Sequence, residues 1–216
     1  MVMLLNVKSE IPKSFYIFVD SHNPLTVQTL RSTRAFSSSA YTKCYYDESF
    51  LEKYLKGGVK YLPYKKSNQD LDIFSPYYVS VVNYFDVEYD AECFRQKYYP
   101  MYPSRLSAVY AFGDYETCVK VSKIYQWDLK TVRKFKLVNN KLTRVIKVNM
   151  EIVSIARDIY KNHMFSKESK ELLWENYWRG SSYIPTESYY ENYPPSNLKV
   201  DEVFEYLIEG SLVLEE

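Results

Sequence analysis

The chain has 216 residues, 46% of them hydrophobic and 25% charged, with a formal net charge of +1. That balance fits one soluble globular domain spanning 1–216 with a sizeable core. It excludes a general electrostatic footprint for nucleic acid or an anionic membrane.

The 24 tyrosines against only 5 glycines favour strands and half-wet surfaces, so a strand-rich fold is expected. Cys44, Cys93 and Cys118 are odd in number and share no metal-ligand spacing. With only His22 and His163 beside them they leave too few soft ligands for a zinc site. Free thiols in a reducing compartment are expected. The opening MVMLLNVKSEIPK holds an apolar run too short for a secretory signal, and nowhere do enough apolar residues follow one another to span a membrane. A cytoplasmic location follows as the expectation.

In chain order, SFYIFVD (14–20) reads as a strand, apolar nearly throughout and hence interior to a sheet. After the turn SHNPLT, QTLRSTRAF (28–36) is expected to be a second strand with Arg31 and Arg34 near its end, followed by a serine-rich loop at 37–39. DESFLEKYLKGG (47–58) spaces Phe50, Leu51, Tyr54 and Leu55 helically between an acidic start and a Gly-Gly stop, which predicts a short helix. Residues 61–76 are turn-rich, and YYVSVVNYF (77–85) is a strand or a buried helical segment. DAECFRQKYYP (90–100) is a helix closed by Pro100.

Pro100 delivers the chain into PSRLSAVYAF, where Leu106, Ala108, Tyr110 and Phe112 alternate with Ser107, Val109 and Ala111. This is the period of a mostly buried strand entered from a rigid turn. Ser104, Arg105 and Ser107 sit at its mouth, where a fixed cation and short hydroxyls suit an anionic or polar ligand. Plain turn chemistry is the alternative. YETCVKVSKIYQ (115–126) is a helix, and VRKFKLV and TRVIKVNM read as paired strands around an Asn-rich turn. Lysines interleaved with apolar residues at 56–66 and 130–136 read as solvated edges guarded against pairing, or as a local basic face.

Residues 154–178 are helical with a break near Asn162-His163. The polar, proline-bearing stretch 181–197 is long enough for a lid or flap. FEYLIEGSLVL (204–214) is one strand or two short strands about Gly210, with Glu205 at its start.

No Ser-His-Asp spacing, Gly-rich phosphate loop, paired histidine ligands or EF-type loop is present, and His22 and His163 have no motif about them. AECFRQKYYPMYPSRLSAVYAF, then ENYWRG (175–180), then FEYLIEGSLVL resemble, over 90–214, a bacterial and phage family grouped with the ADP-ribosyltransferase-like fold. The resemblance implies an α+β fold, with a split β-sheet core and peripheral helices, and NAD as the substrate.

In members of the arginine-serine-glutamate type, an early-strand arginine or histidine anchors NAD. A middle-strand serine steadies the nicotinamide ribose, and a late glutamate stabilises an oxocarbenium-like centre. By this resemblance Glu205 is the catalytic carboxylate, and Ser107, or else Ser104, is the serine. FYIF lacks the first residue, so Arg31, Arg34 or His22 is left to serve. Arg105 suits a pyrophosphate through its bidentate fork, and Tyr110 is placed to stack the nicotinamide ring. Valine at 203 stands where arginine-modifying members carry an acid, which argues against an arginine acceptor.

The implied function is transfer of ADP-ribose from NAD to a host macromolecule, as a phage or toxin effector. The alternatives are an NAD hydrolase and a catalytically inactive protein that engages a protein or nucleic-acid partner.

Overall fold

The computed structural model describes residues 4–20, 22–61, 84–162, 165–186 and 197–215. Its strands are β1 (Phe15–Phe18), β2 (Ala35–Ser37), β3 (Val109–Ala111), β4 (Val132–Leu137), β5 (Arg144–Asn149), β6 (Tyr183–Pro185), β7 (Asn197–Lys199), β8 (Phe204–Glu209) and β9 (Ser211–Leu214). The helices are α1 (Pro24–Thr33), α2 (Ser39–Lys43), α3 (Glu48–Leu55), α4 (Phe85–Tyr98), α5 (Tyr115–Tyr125), α6 (Met150–Lys161) and α7 (Lys167–Trp178). The class is α+β, and helical residues outnumber extended ones among the described residues, which corrects the strand-rich fold expected from the tyrosine content: many tyrosines sit on helices α2 to α7.

Two antiparallel sheets, ordered β1-β4-β9-β2 and β3-β8-β5, form the core, and β6 and β7 make a separate ladder. The sheets touch at one edge, where Tyr16 and Phe112 exchange both backbone hydrogen bonds at 2.8 Å. Alternation along β8 then sorts the interior. Tyr206 and Ile208 pack with Phe15, Ile17, Val109 and Val145. Leu207, on the opposite face, packs with Val87 and Ala91 of α4, Ile152 and Ala156 of α6, and Trp174 of α7.

The chain passes from one sheet to the other at Gly210. A Cβ there would lie 2.8 Å from Thr143 Cγ2, so the corner requires glycine. This bend corrects the expectation that VRKFKLV and TRVIKVNM pair with each other. Because β8 and β9 belong to different sheets, β5 takes β8 as its partner while β4 lies between β1 and β9. The lysines of β4 therefore mark the solvated face of an interior strand, with Phe135 buried between them, and not a guarded edge.

QTLRSTRAF is also corrected. Pro24 opens α1, Asn23 Oδ1 accepts from Thr26 N at 3.4 Å, and only Ala35–Ser37 is extended. Ser38, expected in a loop, caps α2 by accepting from Tyr41 N. The expected strand over 106–112 shrinks to β3, because Ser104 O accepts from both Ser107 N and Ala108 N and folds that stretch into a turn.

Other elements follow the pattern read from sequence. Asp47 caps α3, accepting from Phe50 N at 2.9 Å, and Asp114 caps α5 in the same way. The helix expected from residue 90 begins at Phe85, and the break near 162 separates α6 from α7. The turn-rich stretch from 62, most of YYVSVVNYF, His163, and 187–196 of the polar loop lie outside the described residues. Among the described residues, no helix is long and apolar enough to cross a membrane. Cys44 and Cys118 are buried and Cys93 is exposed, and all three are free.

Helix α7 is fixed by aromatic residues whose polar ends are satisfied. Trp178 Nε1 donates to Ala91 O at 3.1 Å, and Trp174 Nε1 donates to Tyr160 Oη at 2.9 Å. The helix ends at Gly180, where φ is +71° and an added Cβ would stand 2.7 Å from Lys147 O. Gly180→Ala is expected to lower stability by about 1–3 kcal/mol, through left-handed strain and displacement of β5. Urea unfolding measures it, and an unchanged midpoint would refute this account of the corner.

Candidate functional site

Four glutamates are buried where β8 faces α4: Glu205 and Glu209 on the strand, Glu88 and Glu92 on the helix. The strand pair is four residues apart and shares a face, while the helix pair sits on successive turns. Buried carboxylates persist only with cations and donors around them. The turn at 104–107 and the C-terminal part of α4 bring these in.

Arg105 is 5% exposed and forks onto Glu88, with Nε to Oε2 at 2.7 Å and Nη2 to Oε1 at 2.9 Å. Its Nη1 donates to Tyr177 Oη and lies 3.4 Å from Glu205 Oε1. The guanidinium is flanked by the rings of Tyr110 and Tyr177, at 5.3 and 5.4 Å. Tyr110 Oη closes the turn by donating to Arg105 O at 2.8 Å.

A second network anchors the turn from below. Arg95 forks onto Glu92, Ser104 Oγ donates to Glu92 Oε2 at 2.8 Å, and Glu209 Oε1 accepts from Ser104 N and from Tyr61 Oη. At the head of β8, buried Asn149 accepts from Val203 N and donates to Asp201 O. The strand entry that carries Glu205 is therefore held from the neighbouring strand.

Beside Glu205 opens a cleft of about 360 Å³. Phe18, Tyr110, Phe112, Tyr125 and Trp127 give it an aromatic wall, and Glu88, Arg105, Arg157 and Glu205 are its charged lining. Burial pushes the Glu205 carboxyl up to about 7, with Arg105 and Arg157 opposing the rise and Glu88 adding to it. A carboxyl that changes charge near neutrality, set in an aromatic cleft, can act on a cationic centre or move a proton.

The structure brings Glu205, Arg105 and Tyr110 together. Ser104 and Ser107 are not turned to the cleft: Ser104 serves Glu92, and Ser107 Oγ accepts from Ala40 N at 3.0 Å at the start of α2. Arg31 and Arg34 are separate from Glu205 as well. Arg31 lines a shallow surface pocket with His22, Pro24 and Gln28, and Arg34 closes α1 with φ at +52°. Arg31 is on the helix at 24–33, and Arg34 follows it at the far edge of the first sheet, its carbonyl accepting from Leu214 N of β9, so neither lines the cleft. Arg105 keeps its place, but its donors are spent on Glu88 and Tyr177.

Sequence reasoning missed Glu88, Tyr177 and Arg157. Glu88, Glu92 and Arg95 recur at helical spacing on the side of α4 that also carries buried Ala91, a charged stripe on a core face that was legible in FDVEYDAECFRQKY. Arg157 gives no comparable local signal.

No curated protein matches the chain. A family model described as "Protein of unknown function (DUF2441)" matches residues 6–210, nearly the whole length, and the chain belongs to that family.

Proposed function

We propose that this protein has an ADP-ribosyltransferase-like fold, takes NAD into the cleft and breaks its nicotinamide glycosidic bond. ADP-ribose then passes to a macromolecular acceptor or to water. The observation that carries the reading is a buried carboxylate, Glu205, at the head of a strand in a split antiparallel core, beside an aromatic cleft. As the C–N bond breaks, nicotinamide leaves with the bonding electrons and the ribose becomes cationic. A carboxylate against that centre stabilises the transition state more than the ground state. The acceptor's nucleophile then bonds to the ribose carbon and releases a proton. The proposed setting is a phage or toxin effector acting on a host macromolecule in the host cytoplasm.

Only ionised Glu205 can stabilise a cation, so nicotinamide release is expected to rise with pH through about 7 and to fall away on the acid side. The test follows nicotinamide release from NAD by purified protein, with and without cell lysate, for wild type and Glu205→Gln. The expected loss in the variant is about 100-fold or more. Release that survives the substitution would refute the assignment of Glu205, and dependence on lysate separates transfer from hydrolysis.

A second reading is a fold kept for binding alone. Two observations favour it: Phe18 stands in the cleft wall on the first strand, and the Ser104 and Ser107 oxygens are occupied within the fold. NAD bound without any nicotinamide release, in buffer or lysate, would select this reading.

A further inference from the structure

We propose that Arg157, and not an arginine of the first strand or of the 104–107 turn, is the anion anchor of the cleft, holding the phosphate oxygens of a nucleotide-type ligand. The inference rests on the reading of the cleft as a nucleotide site and names the residue that would hold the ligand's charge.

Helix α6 buries Ile152, Val153, Ala156 and Ile159 against the sheet. Ser154 and Arg157, three apart and so on one side, come to the cleft beside Val153. The Arg157 guanidinium lies 4.3 Å from the centroid of the Tyr84 ring, which holds its plane from one face. Its Nε is buried and meets no hydrogen-bond acceptor among the described residues. Buried donors are normally satisfied, and a guanidinium offers five in a planar fork shaped for phosphate or carboxylate oxygens.

The contrast with Arg105 decides between the two cleft arginines. On Arg105, Nε and Nη2 are engaged by Glu88, and Nη1 by Tyr177. Arg105 is thus a structural cation that positions two carboxylates, whereas Arg157 lines the cleft with its Nε lacking an acceptor among the described residues. Its charge also reaches Glu205, whose carboxyl it pulls down in opposition to burial. A ligand with phosphate on Arg157 and a flat ring along Phe18, Phe112 and Trp127 would present its middle to Glu205.

Calorimetric titration of wild type, Arg157→Gln and Arg157→Lys with inorganic pyrophosphate, ADP-ribose and NAD tests this. Arg157→Gln is expected to weaken each phosphate-bearing probe by about 10- to 100-fold, and Arg157→Lys, which keeps the charge but loses the fork, to recover part of it. Equal affinity of wild type and Arg157→Gln for all three overturns the proposal, as does failure of every probe to bind wild type. Pyrophosphate or ADP-ribose binding that needs Arg157, without nicotinamide release, keeps the anchor and sinks NAD cleavage. Nicotinamide release with probe binding indifferent to Arg157 does the reverse.

Discussion

Arg105→Met is expected to lower folding stability by about 3–5 kcal/mol, a large share of what holds most domains folded. The side chain it replaces is enclosed between two tyrosine rings and faces two carboxylates that are themselves buried, Glu88 at 3% and Glu205 at 7% exposure. The attraction in the ion pair is not what is lost on balance, since solvation of both partners opposes it. The loss comes from leaving Glu88 buried without the fork that satisfied both its oxygens.

A double-mutant cycle in urea separates the two contributions. Arg105→Met combined with Glu88→Gln is expected to recover at least about 1–2 kcal/mol relative to the sum of the single changes, because the uncompensated charge is gone. A loss below about 1 kcal/mol for Arg105→Met alone would refute the description of this cluster as the framework of the site.

Glu205→Gln is expected to stabilise the fold at pH 8 and to leave it nearly unchanged at pH 4. The carboxyl is raised from 4.5 to about 7 by burial. The folded state therefore holds a proton through this window that the unfolded chain has released. The stability contributed by that protonated form is fully present below about 4.5 and is lost as pH rises through about 7. Above that pH the protein carries an ionised, buried carboxylate, with Arg105 already forked onto Glu88. Removing its charge is expected to return about 1–3 kcal/mol, less than the full shift because a buried amide also needs partners.

For a chain of this size that is a rise of roughly 2–10 °C in the thermal midpoint, read by circular dichroism across a pH series. A gap between variant and wild type that does not widen with pH would mean that Glu205 is not held against its solvation. The same substitution that stabilises the fold is the one expected to abolish nicotinamide release, the pattern of a site kept at a cost to stability.

What the sequence by itself determined is local. Asp47 and the glycines after Leu55 bound α3, Asp114 starts α5, and the run at 14–20 holds a strand, although β1 ends its sheet and the interior place expected for it falls to β4. Each rests on a cap, a period or a turn residue within a few positions. The Asn-Pro that opens the helix at 24–33 is likewise a local signal, present within the stretch expected as a turn before a strand at 28–36.

Only the tertiary structure decided which strands share a sheet and which charges share a site. Partners for β4 and β5 follow from the bend at Gly210, a property of a segment some seventy residues away in the chain. Glu88, Arg105, Arg157, Tyr177 and Glu205 come from separate elements and converge because β8 lies beneath α4, α6 and α7. Local periodicity fixes which face of an element is buried, and it carries no information on which charged side chain the facing element will supply.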